Sequence, residues 1–325
     1  MLQKQKKDLA LIMTREMGKS LAETHADVQE AIDTAYYYAG EGRRLFGQTT
    51  PSELPHKICS MIRMPIGVCG LITPWNFPLA IPAWKLYPAL ICGNTVILKP
   101  SEDTPLMALL FAEIMQEAGL PKGVMNVVTG FGPEAGKALV DDPDVALVSF
   151  TGSVSTGRKV AKTCGQKLKR YSLEMGGKNA LIVMEDAKMD LALEGALWGA
   201  YATSGQRCTA TSRIFIHERI YQKFSQQFIA ETKKIKQIGP IINKTQLKKV
   251  HRFVKEAISQ GARLRCGGRI LQQTIYEPTV LTHVRPDMRI AKEEVFGPVV
   301  CLFKIKSFEE AIHKTNDTRY GLSAG

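Results

Sequence analysis

A cysteine in a short turn is the residue of this sequence with the clearest potential for chemistry. Cys208 lies in residues 204–209, after an apolar run at 191–202 and before a β-like segment at 213–216. Gly205 stands three residues before it, and a turned backbone there would expose the sulfur, as a thiolate nucleophile requires. The residues alone leave a second interpretation open, in which Cys208 is an inert cysteine of an apolar core.

Two further residues stand in turns after predicted strands and could take part in catalysis. Glu174, in Leu-Glu-Met-Gly-Gly-Lys-Asn (173–179), is followed by two glycines that would leave its carboxylate room to move, so it is a candidate general base. Asn76 lies between Pro74 and Pro78, which fix the backbone, so its amide could donate to a developing oxyanion. The alternatives are an ordinary loop acid and a rigid structural turn.

Three stretches could bind a dinucleotide. Residues 150–157 follow a strand, and Gly152 and Ser153 would turn the chain and cap a helix whose N-terminus attracts phosphate. Lys99 and Glu102 follow another strand, where they could bind ribose hydroxyls and where the carboxylate would disfavour a 2′-phosphate. Without a ligand, both would be ordinary helix-entry turns. The third stretch, residues 130–136, has the spacing GxGxxxG in place of GxGxxG, which favours a glycine-rich turn over a dinucleotide fingerprint.

Hydrophobic periodicity predicts the elements that position these residues. Residues 8–45 are predicted to be helical, and residues 47–65 to form a hairpin arm that projects from the body. Strands and helices then alternate, which predicts a parallel sheet with helices on both faces and ligands at the carboxyl ends of its strands. A second α/β block begins at about residue 174. The predicted strands are 68–72, 95–98, 125–128, 145–150, 169–173, 180–184, 213–216 and 299–303, and the predicted helices are 79–92, 105–118, 134–140, 153–164, 190–203, 218–235, 245–260 and 308–315.

Length, charge and cysteine usage narrow the class of protein. A chain of 325 residues is expected to form about two domains. The net charge is +12, but the basic residues are scattered and no nucleic-acid module accompanies them, which argues against a nucleic-acid partner. The seven cysteines include no CxxC pair, so neither a disulfide framework nor a metal site is predicted. The sequence has no signal peptide and no apolar run long enough to span a membrane, so a cytoplasmic protein without membrane contact is expected.

Five motifs occur together and in order: PWNFP (74–78), KPSE (99–102), FTGSVSTG (150–157), LEMGGKN (173–179) and GQRC (205–208), with EEVFGPV (293–299) beyond them. This set resembles the aldehyde dehydrogenase superfamily over essentially the whole chain, and the sequence is most similar to the branch that oxidises semialdehydes and related small aldehydes. The resemblance implies an α/β fold of two domains. The first, residues 1–173, would be a Rossmann-like parallel-sheet cofactor domain with an oligomerisation hairpin at 47–65. The second, residues 174–325, would be an α/β catalytic domain that is incomplete at its C-terminus.

The resemblance also implies a role for each motif. Cys208 would add to the aldehyde carbon, and Asn76 with the backbone N–H of Cys208 would hold the oxyanion. Glu174 would activate the water that hydrolyses the thioester left after hydride transfer, and Lys85 would lie beside the active site for proton relay. Lys99 and Glu102 would bind the adenosine ribose, Gly152 and Ser153 the pyrophosphate, and Glu294 and Phe296 the nicotinamide ribose and ring. The full set of implied cofactor-binding residues is Thr73, Pro74, Trp75, Lys99, Ser101, Glu102, Gly132, Phe150, Thr151, Gly152, Ser153, Gly157, Glu174, Met175, Gly176, Glu294 and Phe296.

The expected cofactor is NAD, with NADP as the alternative, because Glu102 favours a free 2′-hydroxyl. The expected partners are a small aldehyde and further copies of the chain, as a homodimer or homotetramer. Compared with the family, segments are missing at both ends, including the C-terminal arm that pairs with the hairpin of a partner. Two alternatives to hydrolytic aldehyde oxidation follow. One is a non-catalytic truncated paralogue that retains cofactor binding, and the other is acyl transfer to coenzyme A, against which the presence of Glu174 argues.

Overall fold

The computed structural model describes residues 1–325, which form two compact units. Unit 1 comprises residues 1–16 and 24–174, and unit 2 comprises residues 17–23 and 175–325.

Two helices begin the chain, α1 (Leu2–Met17) and α2 (Leu21–Glu41). The prediction of one helical stretch over residues 8–45 is wrong at residues 18–20, where the chain leaves the helix. Gly18 has a φ of +84°, and a Cβ there would lie 2.3 Å from the ring of Pro240. A side chain is therefore excluded both by the backbone conformation and by the available space. Ser20 and Glu23 then form a capping box that starts α2.

The predicted hairpin follows α2 and a 3₁₀ turn. β1 (Gln48–Pro51) pairs antiparallel with β2 (Ile58–Met61), and Gln48 stands opposite Met61. Every residue of both strands is exposed. The hairpin therefore contributes nothing to the core of unit 1.

Unit 1 is built on the predicted parallel sheet, whose strand order is β5-β4-β3-β6-β7. Its elements are β3 (Val68–Ile72), α3 (Ala80–Ile91), β4 (Thr95–Lys99), α4 (Pro105–Glu117), β5 (Met125–Val127), α5 (Lys137–Asp141), β6 (Val145–Gly152), α6 (Val154–Gln166) and β7 (Arg170–Met175). β3 pairs in parallel with both β4 and β6. The chain order reverses between β3 and β6, and a ligand crevice is expected at the carboxyl ends of such strands.

Unit 2 contains a second sheet of five strands, in the order β10-β11-β12-β9-β8. Its elements are β8 (Ala180–Val183), α7 (Met189–Tyr201), β9 (Arg213–His217), α8 (Glu218–Lys234), α9 (Lys244–Ser259), β10 (Arg263–Cys266), β11 (Thr279–Thr282), α10 (Arg289–Lys292), β12 (Val299–Ile305) and α11 (Phe308–Asn316). All pairs are parallel except β10 with β11. The short elements β10, β11 and α10 were not predicted.

Each sheet carries its own apolar core. In unit 1, Val148 and Phe150 of β6 pack with Val160 and Cys164 of α6. In unit 2, a cluster around Phe224 and Phe228 of α8 covers one part of the sheet, and a cluster around Phe253 of α9 covers another. The strands are nearly continuous apolar runs because helices cover the sheets, as is usual for parallel sheets.

Candidate active site

The residues singled out by the sequence divide between the two units. Unit 1 holds Asn76, Lys85, Glu174 and the cofactor-binding candidates from Thr73 to Gly157, whereas unit 2 holds Met175, Gly176, Cys208, Glu294 and Phe296. The two sets are described in turn.

The carboxyl edge of the unit 1 sheet gathers three of the predicted stretches. Ile72 at the end of β3 stands opposite both Lys99 of β4 and Phe150 of β6. The chains that leave these strands, residues 73–76, 100–102 and 151–153, therefore start side by side. The N–H of Thr73 donates to the carbonyl oxygen of Lys99 at 3.1 Å, which ties the first two together. This edge is where the fold is expected to bind a ligand.

Gly152 and Ser153 form the strand-to-helix turn that the sequence predicted. A Cβ on Gly152 would lie 2.6 Å from the ring of Phe150, so only glycine fits there. Ser153 is the N-cap of α6, and its hydroxyl oxygen accepts from the N–H of Thr156 at 3.3 Å. Gly157 is buried in the first turn of the same helix. The N-terminus of α6 thus opens directly from the carboxyl end of β6, an arrangement that favours an anion.

A buried lysine and a surface carboxylate stand together after β4. The Lys99 ammonium is almost fully buried, and it donates to the carbonyl oxygen of Pro100 at 2.8 Å and to Glu102 Oε2 at 3.3 Å. The Glu102 side chain remains 42% exposed. The buried Lys99 ammonium therefore holds the Glu102 carboxylate in place, and the exposed part of the carboxylate is available to a ligand. The hydroxyl oxygen of Ser101, which is buried, accepts from the N–H of Asp103 at 3.3 Å.

The glycine-rich stretch at residues 130–136 is a turn, as its spacing predicted. Residues Gly132–Gly136 form a single wide turn that leads into α5. Gly132 is exposed, and nothing lies within 4 Å of the place where its Cβ would stand. This turn therefore leaves open space beside the backbone.

Asn76 is buried in the turn before α3. The turn is fixed from α2, because the carboxylate of Asp27 accepts from the N–H of Ala80, the first residue of α3, at 2.8 Å. Asp27 is itself buried. A carboxylate at a helix N-terminus satisfies an otherwise free N–H and complements the helix dipole. The prolines on either side of Asn76 and this contact together restrict the path of the turn.

Lys85 and Glu174 interact within unit 1. The Lys85 ammonium donates to the hydroxyl oxygen of Ser149 in β6 at 2.8 Å. Burial lowers the pKa of Lys85 to about 8, and the Glu174 carboxylate acts against this shift. Glu174 is exposed at the end of β7. A lysine with this pKa can exchange a proton near neutral pH.

Gly176 leaves room for the carboxylate of Glu294, because a Cβ on Gly176 would lie 2.1 Å from Glu294 Oε1. Glu174 itself is exposed, and the mobility expected of its carboxylate stays a prediction. The N–H of Gly177 donates to Glu294 Oε1 at 3.3 Å. Burial raises the pKa of Glu294, and the cations Lys249 and Lys178 act against the shift. Gly176 and Glu294, both predicted to bind cofactor, are thus in contact.

The turn before Cys208 has a strained backbone. Three consecutive residues, Thr203, Ser204 and Gly205, lie in the left-handed region, with φ values of 54°, 56° and 66°. Residues with a side chain rarely adopt this conformation, so Thr203 and Ser204 each cost on the order of 1–2 kcal/mol, whereas Gly205 adopts it without strain. Only surrounding contacts can hold such a turn, and three groups of contacts do so.

The first contacts come from residues that hydrogen-bond the loop. Asn179 Nδ2 donates to the carbonyl oxygens of Cys208 at 2.6 Å and Ala210 at 3.1 Å. The Ser204 hydroxyl donates to the carbonyl oxygen of Gly239 at 2.7 Å, and Gln206 Nε2 donates to that of Pro240 at 3.0 Å. The loop is therefore tied down both before and after the cysteine.

Arg207 supplies the second anchor. Its guanidinium lies 3.9 Å from the centre of the Trp198 ring and donates to the carbonyl oxygens of Trp198 at 2.9 Å and Gly199 at 3.1 Å. Burial lowers the pKa of Arg207, and Glu23 and Cys208 favour its charged form. A cation is thus held next to Cys208, which itself is half-buried.

The third contact comes from the segment that carries Phe296. A Cβ on Gly205 would lie 2.2 Å from the carbonyl oxygen of Gly297, so the backbone at residue 297 packs directly against the turn. Phe296 is also left-handed, with a φ of 60°. Strained residues on both sides of one contact are typical of functional sites, where the surroundings fix a geometry that the chain alone would not adopt.

Sequence reasoning missed the residues that hold these groups in place. Asn179 belongs to the LEMGGKN motif, but no role was assigned to it. Asp27 and Glu23 lie far away in the chain, and the only local signal is the Ser20–Glu23 spacing, which marks a helix start. A capping pattern predicts where a helix begins, but it does not show which distant loop the capping carboxylate contacts. The sequence therefore could not identify Glu23 as a contact of residue 203.

Lys178 in the same motif gives a stability prediction. Its ammonium is buried without a hydrogen-bond partner, and burial lowers its pKa to about 8. Below pH 8 the amine is charged in both the folded and the unfolded chain, so burial of the charge lowers the free energy of unfolding by its full amount. Between pH 8 and the ordinary lysine pKa only the folded chain loses the proton, so this destabilisation declines as the pH rises. Lys178→Met is therefore expected to raise the free energy of unfolding at pH 7 by on the order of 3 kcal/mol, with the gain shrinking towards pH 10.

Urea unfolding of the two proteins at pH 7 and pH 10 measures this effect. The matched control is Lys248→Met, because Lys248 is exposed on α9 and should change stability little at either pH. An Lys178→Met variant that is destabilised at pH 7, or whose gain does not depend on pH, would contradict the prediction.

No group of three or more His, Cys, Asp or Glu side chains is placed to hold a metal ion. No helix combines the length and the apolar character needed to cross a membrane.

Comparisons with known proteins agree on one family. The Aldehyde dehydrogenase family model matches residues 1–325. Retinaldehyde dehydrogenase 3 from Homo sapiens is 42% identical over 339 residues, covering 100% of this chain and 66% of the relative. Alpha-ketoglutaric semialdehyde dehydrogenase from Bacillus subtilis is 40% identical over 332 residues, covering 98% and 68%.

Solved structures give the same result. Betaine aldehyde dehydrogenase from Staphylococcus aureus in complex with NAD+ matches with a TM-score of 0.97 and 37% identity, over 99% of this chain and 67% of that one. An NAD-dependent aldehyde dehydrogenase from Sinorhizobium meliloti matches with a TM-score of 0.96 and 39% identity, over 99% and 66%. The chain thus spans about two thirds of the length of these relatives, and over that span both sequence and fold place it in the aldehyde dehydrogenase family.

Proposed function

We propose that this protein oxidises an aldehyde to the carboxylic acid with NAD(P) as hydride acceptor, through a covalent intermediate on Cys208. The observation that carries this proposal is the strained turn at residues 203–205, fixed by hydrogen bonds, which presents the half-buried Cys208 beside the buried Arg207. A turn held at this energetic cost is expected where a reactive group must be positioned. Family membership supports the same chemistry.

In the proposed reaction the Cys208 thiolate attacks the aldehyde carbon, and a C–S bond forms as the carbonyl π pair moves to oxygen. The backbone N–H of Cys208 and the amide of Asn76 stabilise this oxyanion. NAD would supply the acceptor for the hydride that leaves this carbon as the C=O bond re-forms, and a thioester would remain on Cys208. Glu174 then takes a proton from water, the resulting hydroxide attacks the thioester, and the acid departs with regeneration of the thiolate.

The residues of unit 1 fit a dinucleotide. The N-terminus of α6 after Gly152 suits a pyrophosphate, and the Lys99–Glu102 pair suits ribose hydroxyls. The open space beside Gly132 leaves the approach free. In unit 2, the buried carboxylate of Glu294 and the neighbouring Phe296 are the candidates for the nicotinamide end. Structures of the relatives from Staphylococcus aureus contain NAD+, and one carries a cysteine modified by BME, which supports both a cofactor and a reactive thiol.

Glu102 is proposed to select NAD over NADP. Its partly exposed carboxylate would repel a 2′-phosphate, so Glu102→Gln is expected to raise kcat/KM for NADP relative to NAD by about tenfold. Initial rates with both cofactors at a fixed aldehyde concentration measure the ratio. The matched control is Glu117→Gln, an exposed acid at the end of α4 that should leave the ratio unchanged. An unchanged ratio in Glu102→Gln would remove the proposed role.

The hairpin is proposed to bind a second copy of the chain. Its apolar side chains are exposed, among them Ile58 at 88% and Ile62 at 69%. An exposed edge with apolar residues favours pairing with another chain. Ile58→Asp is expected to shift the protein to a smaller assembly in size-exclusion chromatography with light scattering, whereas Lys57→Glu, which changes charge at an exposed neighbour, should not. A wild-type protein that is monomeric at micromolar concentration would contradict this proposal.

The direct test of the function is NADH or NADPH formation by the purified protein with a panel of small aldehydes. The panel should include semialdehydes and an apolar aldehyde, because relatives named for both kinds of substrate are similar to this chain at about the same identity. Reduction of cofactor with release of the acid supports the proposal. Cofactor binding without reduction by any aldehyde would favour a non-catalytic cofactor-binding protein. Acyl-CoA formed on addition of coenzyme A would replace hydrolysis by acyl transfer.

A further inference from the structure

Glu23 makes two sets of hydrogen bonds with its two carboxylate oxygens. Oε2 accepts from the N–H of Ser20 at 3.1 Å and from the hydroxyl of Ser20 at 2.8 Å. The Ser20 hydroxyl oxygen in turn accepts from the N–H of Glu23 at 3.4 Å. This half of the carboxylate completes the capping box that begins α2.

The other oxygen, Oε1, reaches the turn that precedes Cys208. It accepts from the backbone N–H of Thr203 and from the Thr203 hydroxyl, the latter at 3.4 Å. Thr203 is the first of the three left-handed residues. It lies two residues after the end of α7, so its N–H has left the hydrogen-bond ladder of the helix. Thr203 is buried, so this N–H has no access to water as an alternative partner.

We propose that Glu23 is a positioning residue for Cys208. It fixes the start of the left-handed turn by a charge-assisted hydrogen bond, and the turn in turn sets the path of the backbone to residue 208. A hydrogen bond to a carboxylate is about twice as strong as a neutral one, which suits a contact that must offset backbone strain. In the loop, Glu23 hydrogen-bonds Thr203 and acts electrostatically on Arg207, so its effect on Cys208 passes through these two residues. The kinetic part of the proposal rests on the proposed function, whereas the structural part does not.

A second electrostatic contact supports this assignment. The negative charge of Glu23 favours the charged form of Arg207, which is buried between the Trp198 ring and the carbonyl oxygens at the end of α7. Removal of Glu23 would therefore weaken two of the anchors of the loop at once: the N–H bond of Thr203 and the charge on Arg207.

The alternative is that Glu23 only caps α2. The two functions use different oxygens, so three variants separate them. Ser20→Ala removes the hydroxyl from the cap and leaves Oε1 on Thr203. Glu23→Gln keeps one oxygen acceptor for Thr203 and loses the carboxylate from the cap. Glu23→Ala removes both contacts.

Hydrogen–deuterium exchange of the peptide spanning residues 199–208 is the first measurement. Loss of the acceptor in Glu23→Ala is expected to speed exchange at the Thr203 amide by about tenfold or more, whereas Ser20→Ala should stay within about threefold of the parent protein. Glu23→Gln keeps an acceptor but loses the charge, so its exchange rate should lie between those of the parent protein and Glu23→Ala. This readout needs no aldehyde oxidation. Equal exchange in Glu23→Ala and the parent would overturn the proposal, as would equal acceleration in Glu23→Ala and Ser20→Ala, which would assign the effect to the cap.

Steady-state kinetics are the second measurement. Glu23→Ala is expected to lower kcat by about tenfold with little change in KM for NAD, because it disturbs the nucleophile and not the cofactor edge of unit 1. Glu23→Gln, which keeps a neutral acceptor, should restore part of kcat. Unchanged kcat in Glu23→Ala would overturn the proposal. If the parent protein oxidises no aldehyde, the proposed function fails on its own, and the exchange measurement still decides whether Glu23 holds the turn.

Discussion

Cys208→Ala is expected to lower aldehyde oxidation by at least about three orders of magnitude, because the covalent adduct is proposed to form on this sulfur. In the proposed reaction the hydride leaves from the carbon of this adduct, so loss of the sulfur removes the step that prepares it. The residues proposed to bind the dinucleotide pyrophosphate and adenosine ribose lie in unit 1, so the variant should still bind NAD. Rates of NADH formation and a fluorescence titration with NAD measure the two effects separately.

The matched control is Cys92→Ala. Cys92 is exposed, follows α3 and has no proposed role in catalysis or cofactor binding, so its loss should leave the rate within about twofold of the parent. A second readout is alkylation by iodoacetamide, followed peptide by peptide. In the parent protein the loss of activity should follow alkylation of the peptide containing Cys208. A Cys208→Ala variant that still oxidises aldehydes at the parental rate would refute the proposed mechanism.

The unit 1 fold was predictable because its pattern is strong and local. Strands such as β3 and β4 are short apolar runs bounded by glycine or proline, and the helices between them follow in regular order. Parallel sheets need such crossover helices, so the alternation itself indicates the topology. The carboxyl ends of β3, β4 and β6 then had to meet at one edge, and the register of Ile72 with Lys99 and Phe150 confirms it.

The elements that escaped prediction are short, polar or broken by a single residue. β10 has the sequence Arg-Leu-Arg-Cys and forms an antiparallel edge, where half-exposed polar residues give no continuous apolar run. The break between α1 and α2 depends on Gly18, and one glycine in a helical pattern is a weak signal without knowledge that Pro240 packs on it. Long-range packing, and not local propensity, decides both cases.

In the candidate site, too, features with a local cause could be predicted, whereas features that depend on long-range contacts could not. Motif residues such as Gly152 and Ser153 carry a local reason for their type, so their turn could be predicted. The strain at Thr203 and Ser204 could not, because neither residue type favours the left-handed region and contacts from other parts of the chain, among them Glu23 and Gly239, hold them there. A sequence shows which residues could react, but the supports that hold a strained turn come from distant segments.

Glu174→Gln is expected to lower the steady-state rate by about two to four orders of magnitude while leaving the first turnover intact. In the proposed sequence of steps, hydride transfer precedes hydrolysis, and Glu174 acts only on the water of the second step. The variant should therefore form NADH in a burst of about one equivalent per active site and then stop, with the acyl group retained on Cys208. Rapid-mixing measurements of NADH and the mass of the intact protein report the burst and the trapped thioester.

The matched control is Glu194→Gln, an exposed acid on α7, which should turn over like the parent protein. Loss of the burst together with the steady-state rate in Glu174→Gln would show that this carboxylate is needed before or during hydride transfer, and would contradict its assignment as the base for hydrolysis.

The Coulombic contact between Glu174 and Lys85 allows a role in hydride transfer to be separated from a role in hydrolysis. Removal of the carboxylate charge leaves Lys85 buried without that support, so its pKa should fall further below about 8. If a charged Lys85 assisted hydride transfer, the amplitude of the NADH burst would fall as the pH rises through the pKa of Lys85. If Glu174 acts only on water, the amplitude of the burst should not depend on pH.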